Sequence, residues 1–140
     1  MREGTKTRIV LTLDSVLESV DTIESTAEAY ALDAGFDEDT TSNISMVSRE
    51  AAVNAVLHGN QKDPKKKVTA TFEVTLDELK ITVADEGQGL DPDKIPDPLA
   101  PENVLRPSGR GVFLMRAYMD EVHFRQLTPG TEITMIKRRV

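Results

Sequence analysis

Three short stretches of this chain combine residue types and spacings suited to chemistry. In R-E-A-A-V-N-A-V-L-H-G-N, residues 49–60, Glu50 and Asn54 stand one helical turn apart. Wound at about 100° per residue, they share a stripe with Met46, Val47, Val53 and Leu57, where a packed helix normally carries leucine or valine. A carboxylate and an amide are costly there unless something satisfies them. Such a carboxylate can serve as a general base, and an amide oxygen can ligate Mg²⁺. The second stretch is D-E-G-Q-G, residues 85–89, at the end of an alternating run. Asp85 can accept a hydrogen bond from an exocyclic amine such as that of adenine, and Gly87 and Gly89 allow close backbone approach. The third is S-G-R-G-V, residues 108–112, where Gly109 and Gly111 open an apolar helical pattern. Exposed amides at a helix N-terminus bind phosphate.

Each stretch alone has a plainer explanation. Glu50 and Asn54 suit a helix-end pair bonded to loop backbone, D-x-G-x-G an Asp–Gly turn, and G-x-G a flexible loop. Together they would supply the metal ligand, the base-reading group and the phosphate cradle of one Mg·ATP site.

The elements that must position them follow from period and punctuation. Arg8–Leu13 is a β-branched strand. Asp14 or Ser15 is expected to cap a first helix, with Glu18 as capping-box partner. Val16, Leu17, Val20, Ile23, Ala27, Tyr30 and Ala31 carry that helix to Gly35. A second helix opens in Asp37–Thr41 and runs to Leu57 or His58, with Gly59 as its left-handed stop. Lys67–Thr75 and Leu79–Ala84 alternate with period two and form a hairpin about Asp77-Glu78. Residues 90–108 hold five of the seven prolines and no sustained period, which suggests a lid. A helix is expected from near Gly111, burying Val112, Met115, Ala117, Tyr118 and Met119. Glu121–Leu127 and Thr131–Lys137 close the chain as a hairpin around Thr128-Pro129-Gly130. The expected architecture is one α+β domain over residues 1–140, a two-layer sandwich with helices on one face of a mainly antiparallel sheet.

Composition narrows the function classes. Seventeen basic against twenty-four acidic residues leave a net charge of −7, which disfavours direct nucleic-acid or anionic-membrane binding. Lys65, Lys66 and Lys67 accordingly read as a solvated loop guarding a strand. Cysteine is absent, which excludes thiolate metal sites, and histidine occurs only at positions 58 and 123, so a multi-histidine zinc site is not expected. No apolar run approaches the roughly 20 residues of a membrane span, and a soluble cytoplasmic protein is expected. His58, at the end of the second helix, could accept a phosphoryl group, but a capping or lid-side role suits a helix C-terminus better. His123 is expected to pack within its strand. Asp91, Asp93 and Asp97 lack the glycine and terminal glutamate of a calcium loop.

At these residues the chain resembles the GHKL ATPases, the superfamily of gyrase B, Hsp90, MutL and sensor histidine kinases. E-A-A-V-N-A-V-L-H-G looks like the N box, residues 85–89 like the first glycine box and residues 108–112 like the second. The spacing and G-x-G-x-F-L-M-R…M-D-E-V most closely resemble the bacterial anti-sigma-factor serine/threonine kinases, over residues 9–136. The resemblance implies the Bergerat ATP-binding fold, ATP and Mg²⁺ as cofactors, Glu50 as general base and Asn54 as Mg²⁺ ligand. It implies Asp85 as reader of the adenine amine, Gly87 and Gly89 as shapers of the base pocket, and Gly109 and Gly111 at the phosphates. Arg106 lies one position further from the glycine box than the family's arginine and Arg110 stands between the two glycines; either is a candidate for the γ-phosphate. The lid reads P-L-A-P-E-N-V-L-R-P where some members carry a threonine-lysine segment. Implied partners are a sigma factor and a STAS-domain anti-anti-sigma protein, with the kinase a homodimer. The alternatives are a nucleotide-binding interaction module without productive phosphotransfer and a stand-alone histidine-kinase-like ATPase domain.

Overall fold

Alternating apolar and polar residues give a strand one face for the core and one for water, and five segments pair on that basis into a single sheet. The computed structural model describes residues 7–61, 63–87 and 107–139, with residues 107–110 as backbone alone. Strands β1 (Thr7–Asp14), β2 (Lys67–Val74), β3 (Glu78–Ala84), β4 (Glu121–Gln126) and β5 (Thr131–Arg138) lie in the order β1-β2-β3-β5-β4. Every neighbouring pair is antiparallel, and the register aligns Ile9, Phe72, Ile81, Met135 and Val122 in one row across the sheet. Leu11, Ala70, Val83, Ile133 and Phe124 form the next row.

The helices bury these rows. Helix α1 (Leu17–Asp33) contributes Val20, Ile23, Ala27 and Ala31, and α2 (Glu38–Val53) contributes Ile44, Val47, Ala51 and Ala52. Helix α3 (Pro107–Tyr118) adds Met115. Phe72, Ile81 and Met135 at the sheet centre are fully buried, each stabilising the fold by roughly 1.5–3 kcal/mol. The ring of Tyr30 lies 5.8 Å from that of Phe72, which joins α1 to the middle of the sheet. Arg139 ties the rear edge: its guanidinium donates to the Ala34 and Thr75 carbonyls at 3.0 and 2.7 Å. The α+β sandwich is therefore as expected. Among the described residues, no helix is long and apolar enough to cross a membrane.

Several local expectations give way. Helix α1 starts at Leu17 behind Val16, which makes no side-chain cap. Ser15 is instead buried and bonded to the loop before β2, through its N–H to the Lys66 carbonyl. Asp37 does cap α2, accepting from Thr40 N–H at 2.7 Å, and Gly35 ends α1 at φ +93°. The β2–β3 turn centres on Leu76 and Asp77 rather than Asp77-Glu78, because the Thr75 hydroxyl captures the Asp77 and Glu78 N–H groups at 3.2 Å. Helix α3 begins at Pro107, one turn before Gly111, since proline suits a first helical position. Ala117 and Tyr118 are exposed on α3, and His123 faces solvent beside Glu121 at 2.9 Å instead of packing inward. The expected lid falls outside the described residues up to position 106.

Candidate active site

Helix α2 carries Glu50 and Asn54 along the edge of its buried face. Ala51, Ala52, Ala55 and Val56 next to them are buried, whereas Glu50 and Asn54 are half-buried. Of their expected stripe companions only Val47 is fully buried; Met46, Val53 and Leu57 are half-buried too. The stripe thus borders the core instead of running through it. Packing of α3 against α2 explains the offset. A Cβ on Gly111 would stand 3.0 Å from Glu50 Oε2 and 3.5 Å from Asn54 Nδ2. The missing side chain lets the α3 backbone close over this pair, and the second glycine motif meets the first polar one there. Among the described residues neither Glu50 nor Asn54 has a side-chain hydrogen bond, and neither is a buried orphan.

After Val53 the helix widens. Asn54–Gly59 is a π-helical turn, closed by the Asn60 N–H on the Ala55 carbonyl at 2.8 Å. Such bulges insert a residue into the helical repeat and shift everything after it. His58 is thereby left exposed. Gly59 does end the helical segment, but its φ is not positive; the left-handed residue is Gln61, at φ 53°. Gly59 is needed for a different reason. A Cβ there would fall inside the Asp85 carboxylate.

Asp85 sits just past the end of β3, 8% exposed. Its Oδ1 accepts from Gly87 N–H at 2.9 Å and Thr131 N–H at 3.2 Å, while its own N–H donates to the Thr131 carbonyl at 2.9 Å. Burial pushes its carboxyl above the usual aspartate range, against the pull of the Gly87 and Thr131 N–H groups and the Lys66 charge. Oδ2 accepts no hydrogen bond among the described residues, so one strong acceptor site remains for a ligand. Two more glycines press on this point. A Cβ on Gly87 would overlap the Gly59 carbonyl, and one on Gly130 the Asp85 carbonyl. Gly130 also has φ +113°.

The structure therefore unites Glu50, Asn54 and Gly111 at one point and Gly59, Asp85 and Gly87 at another, with the π-helical turn between them. Gly109 and Arg110 lie in the first turn of α3, where N–H groups lack intrahelical partners. Gly111 is one residue beyond that turn and acts through its missing side chain. Gly89 and Arg106 fall outside the described residues. Sequence inspection missed Asn60, Gly130 and Thr131. Asn60 looked like the start of a polar connection, yet it is fully buried and bonded through both ends of its amide. Only its H-G-N context hinted at it.

Two outcomes follow from this geometry. Gly59→Ala should destabilise the fold by ~1–3 kcal/mol through overpacking against Asp85, read as a lower urea midpoint; an unchanged midpoint would show that the carboxylate steps aside freely. Because burial raises the folded-state pKa of Asp85, the fold favours its protonated form. That contribution is complete below the unfolded-state value and is lost as pH rises through the folded one. Asp85→Asn keeps the Oδ1 acceptor and sheds the charge, so it should match the parent in acid and surpass its stability at neutral pH. A stability difference independent of pH would contradict this.

Comparison with known proteins agrees with the geometry. Residues 13–137 match the model of the histidine kinase-like ATPase domain. The serine-protein kinase RsbW of Bacillus licheniformis is 33% identical over 126 residues, covering 86% of this chain and 78% of that protein. RsbW of Staphylococcus epidermidis is 31% identical over 96% of this chain and 89% of its own. The anti-sigma F factor of Oceanobacillus iheyensis is 36% identical over 71% of this chain and 70% of its own. In structure, 94% of the chain superposes with TM-score 0.69 and 19% identity on 32% of a Mycobacterium tuberculosis chain comprising RsbU and RsbW domains. A blue-light-activated histidine kinase domain from Erythrobacter litoralis gives 0.58 over 86% of this chain and 59% of its own. With the site assembled from the same segments that carry these matches, the chain belongs to the histidine kinase-like ATPase family, in its branch of bacterial anti-sigma-factor serine kinases.

Proposed function

We propose that this chain is an ATP-dependent serine/threonine protein kinase that sequesters a sigma factor and phosphorylates a serine on a STAS-domain anti-anti-sigma protein. The observation that carries it is the contact of Gly111 with Glu50 and Asn54. It supports the reading by setting the Glu50 carboxylate and the Asn54 amide beside α3, with the buried Asp85 carboxylate beyond the same helix end. In this arrangement Asp85 Oδ2 accepts from the exocyclic amine of adenine. Gly59 and Gly87 bring backbone close enough to shape the base pocket, and the N–H groups of the first turn of α3 face the phosphates.

Asn54 would hold Mg²⁺ through its amide oxygen. A half-buried amide beside the Glu50 carboxylate suits Mg²⁺, which commonly takes one or two protein oxygens with phosphates and water completing its shell. When bound, the ion neutralises charge on the triphosphate. Glu50 receives the proton of the attacking serine hydroxyl as its oxygen bonds to the γ-phosphorus, while the bond from that phosphorus to the β,γ-bridging oxygen breaks and ADP leaves. Arg106 and Arg110 are the candidates for the γ-phosphate, and Gly89 and Gly109 for the base and phosphate loops; His58 borders the phosphate end. The active form is a cytoplasmic homodimer with no direct contact to nucleic acid or membrane. A module that only holds its partner would have less use for Glu50, and its retention favours the kinase over that alternative.

Glu50→Ala should bind ATP as the parent does while slowing transfer to a STAS partner by about 10²–10⁴-fold, the usual worth of a positioned base. Labelled ATP and single-turnover transfer provide the readout, and undiminished transfer would remove Glu50 from the chemistry. Asn54→Ala should weaken Mg²⁺-dependent nucleotide binding itself. A titration in which Mg²⁺ strengthens ATP binding equally in variant and parent would overturn the metal assignment.

A further inference from the structure

We infer that Asn60 is a positioning residue for nucleobase recognition, acting through the peptide that follows Asp85. Asn60 has no solvent exposure, and its amide makes three hydrogen bonds to three separate segments. Nδ2 donates to Ser15 Oγ at 3.1 Å and to the Lys67 carbonyl at 3.0 Å; Oδ1 accepts from Glu86 N–H at 2.8 Å. Its backbone N–H closes the π-helical turn on Ala55, and its carbonyl accepts from Asp63 N–H at 3.0 Å. Both orientations of the amide are thus specified: oxygen toward Glu86, nitrogen toward Ser15 and Lys67.

The Glu86 N–H belongs to the same rigid peptide unit as the Asp85 carbonyl. Holding it fixes the backbone angle from which the Asp85 side chain departs. The other side of that peptide is blocked by Gly130, whose Cα lies against the Asp85 carbonyl. Glu86 returns the connection, its Oε1 accepting from Lys67 N–H at 2.5 Å. Asp85 Oδ1 is held by Gly87 and Thr131, which leaves Oδ2 aimed by the backbone that Asn60 secures. An aspartate at position 60 could still accept from Glu86 N–H, but it would offer Lys67 no donor and would bury a charge. The role therefore needs an amide, which has one donor end and one acceptor end.

This inference rests on Asp85 reading the adenine amine, and the experiment separates the two. The relevant quantity is the preference for ATP over inosine triphosphate, which carries an oxygen in place of the amine. Both affinities are measured by titration on Asn60→Asp, Ser15→Ala and Asp85→Asn, each checked for a cooperative thermal melt. Asp85→Asn keeps its oxygen on Gly87 and Thr131 and turns an NH₂ toward the base, so it should abolish or reverse the preference. Asn60→Asp should reduce the preference by about tenfold and Ser15→Ala by about threefold, as expected for losing or loosening buried hydrogen bonds. If Asn60→Asp does not fold, Ser15→Ala decides alone. Equal weakening of both nucleotides, or an unchanged preference, while Asp85→Asn abolishes it, would overturn the role of Asn60 and leave Asp85 in place. A parent-like preference in Asp85→Asn would overturn adenine reading by Asp85 and the inference with it.

Discussion

Around Asp85 three backbones come closer than any side chain allows. Gly59 ends the π-helical turn against the carboxylate, Gly87 lies on the Gly59 carbonyl, and Gly130 lies on the Asp85 carbonyl. Substituting any of the three would drive a methyl group into its neighbour, and interiors packed to crystal density have no slack to absorb it. Much else depends on this contact. It brings the end of α2, the end of β3 and the β4–β5 turn together, although some 70 residues of chain separate Gly59 from Gly130. It also shields a carboxylate while leaving one of its oxygens free.

Shielding that carboxylate works against stability. Burial raises its pKa, and the two N–H groups on Oδ1 offset only part of the cost of keeping it charged. A chain selected for stability alone would carry a neutral acceptor there. Retaining the charge makes sense where a ligand amine completes the shell, and such local conflicts between folding and recognition concentrate at functional sites. The surrounding polar groups are by contrast well satisfied. Asn60 meets three partners, and among the described residues no buried side-chain nitrogen or oxygen lacks one. The cost is thereby confined to a single oxygen and the half-buried pair Glu50 and Asn54.

The strands were legible because period two survives in K-V-T-A-T-F-E-V and L-K-I-T-V-A, and their pairing followed from short turns. The α2 boundary was not, because helical winding assumes 3.6 residues per turn and Asn54–Gly59 does not obey it. Glu50 and Asn54 were read inside the core instead of at its edge for another reason: winding cannot show that α3 packs against α2 there. Regular winding also suggested a conformational reason for Gly59 where the reason is steric. Gly35 and Gly59 both follow helical segments, yet only Gly35 has the positive φ. Glu18 failed as a capping partner because Ser15 was already engaged with Asn60 and the Lys66 carbonyl, contacts that no local pattern encodes. Asn60, Gly130 and Thr131 were hidden for the same reason: their roles lie in what they touch across the chain.

The two ends of the site are held by different physics, and this division has a mechanistic consequence. The Asp85 end, proposed to read the base, is locked by close backbone contacts and a fully bonded amide, so its geometry exists without a ligand. Preorganisation of that kind favours selectivity, since an ill-fitting base meets a rigid acceptor. At the other end, Glu50 and Asn54 have no side-chain hydrogen bond among the described residues and lie against Gly111 of α3. Their surroundings therefore depend on the position of α3. Under the proposed roles, nucleotide identity rests on the locked end, whereas catalytic alignment depends on how closely α3 lies on α2. Under those roles a displacement of α3 changes transfer while leaving base recognition intact, because Asp85 takes its support from β5, Gly87 and the turn at Gly130.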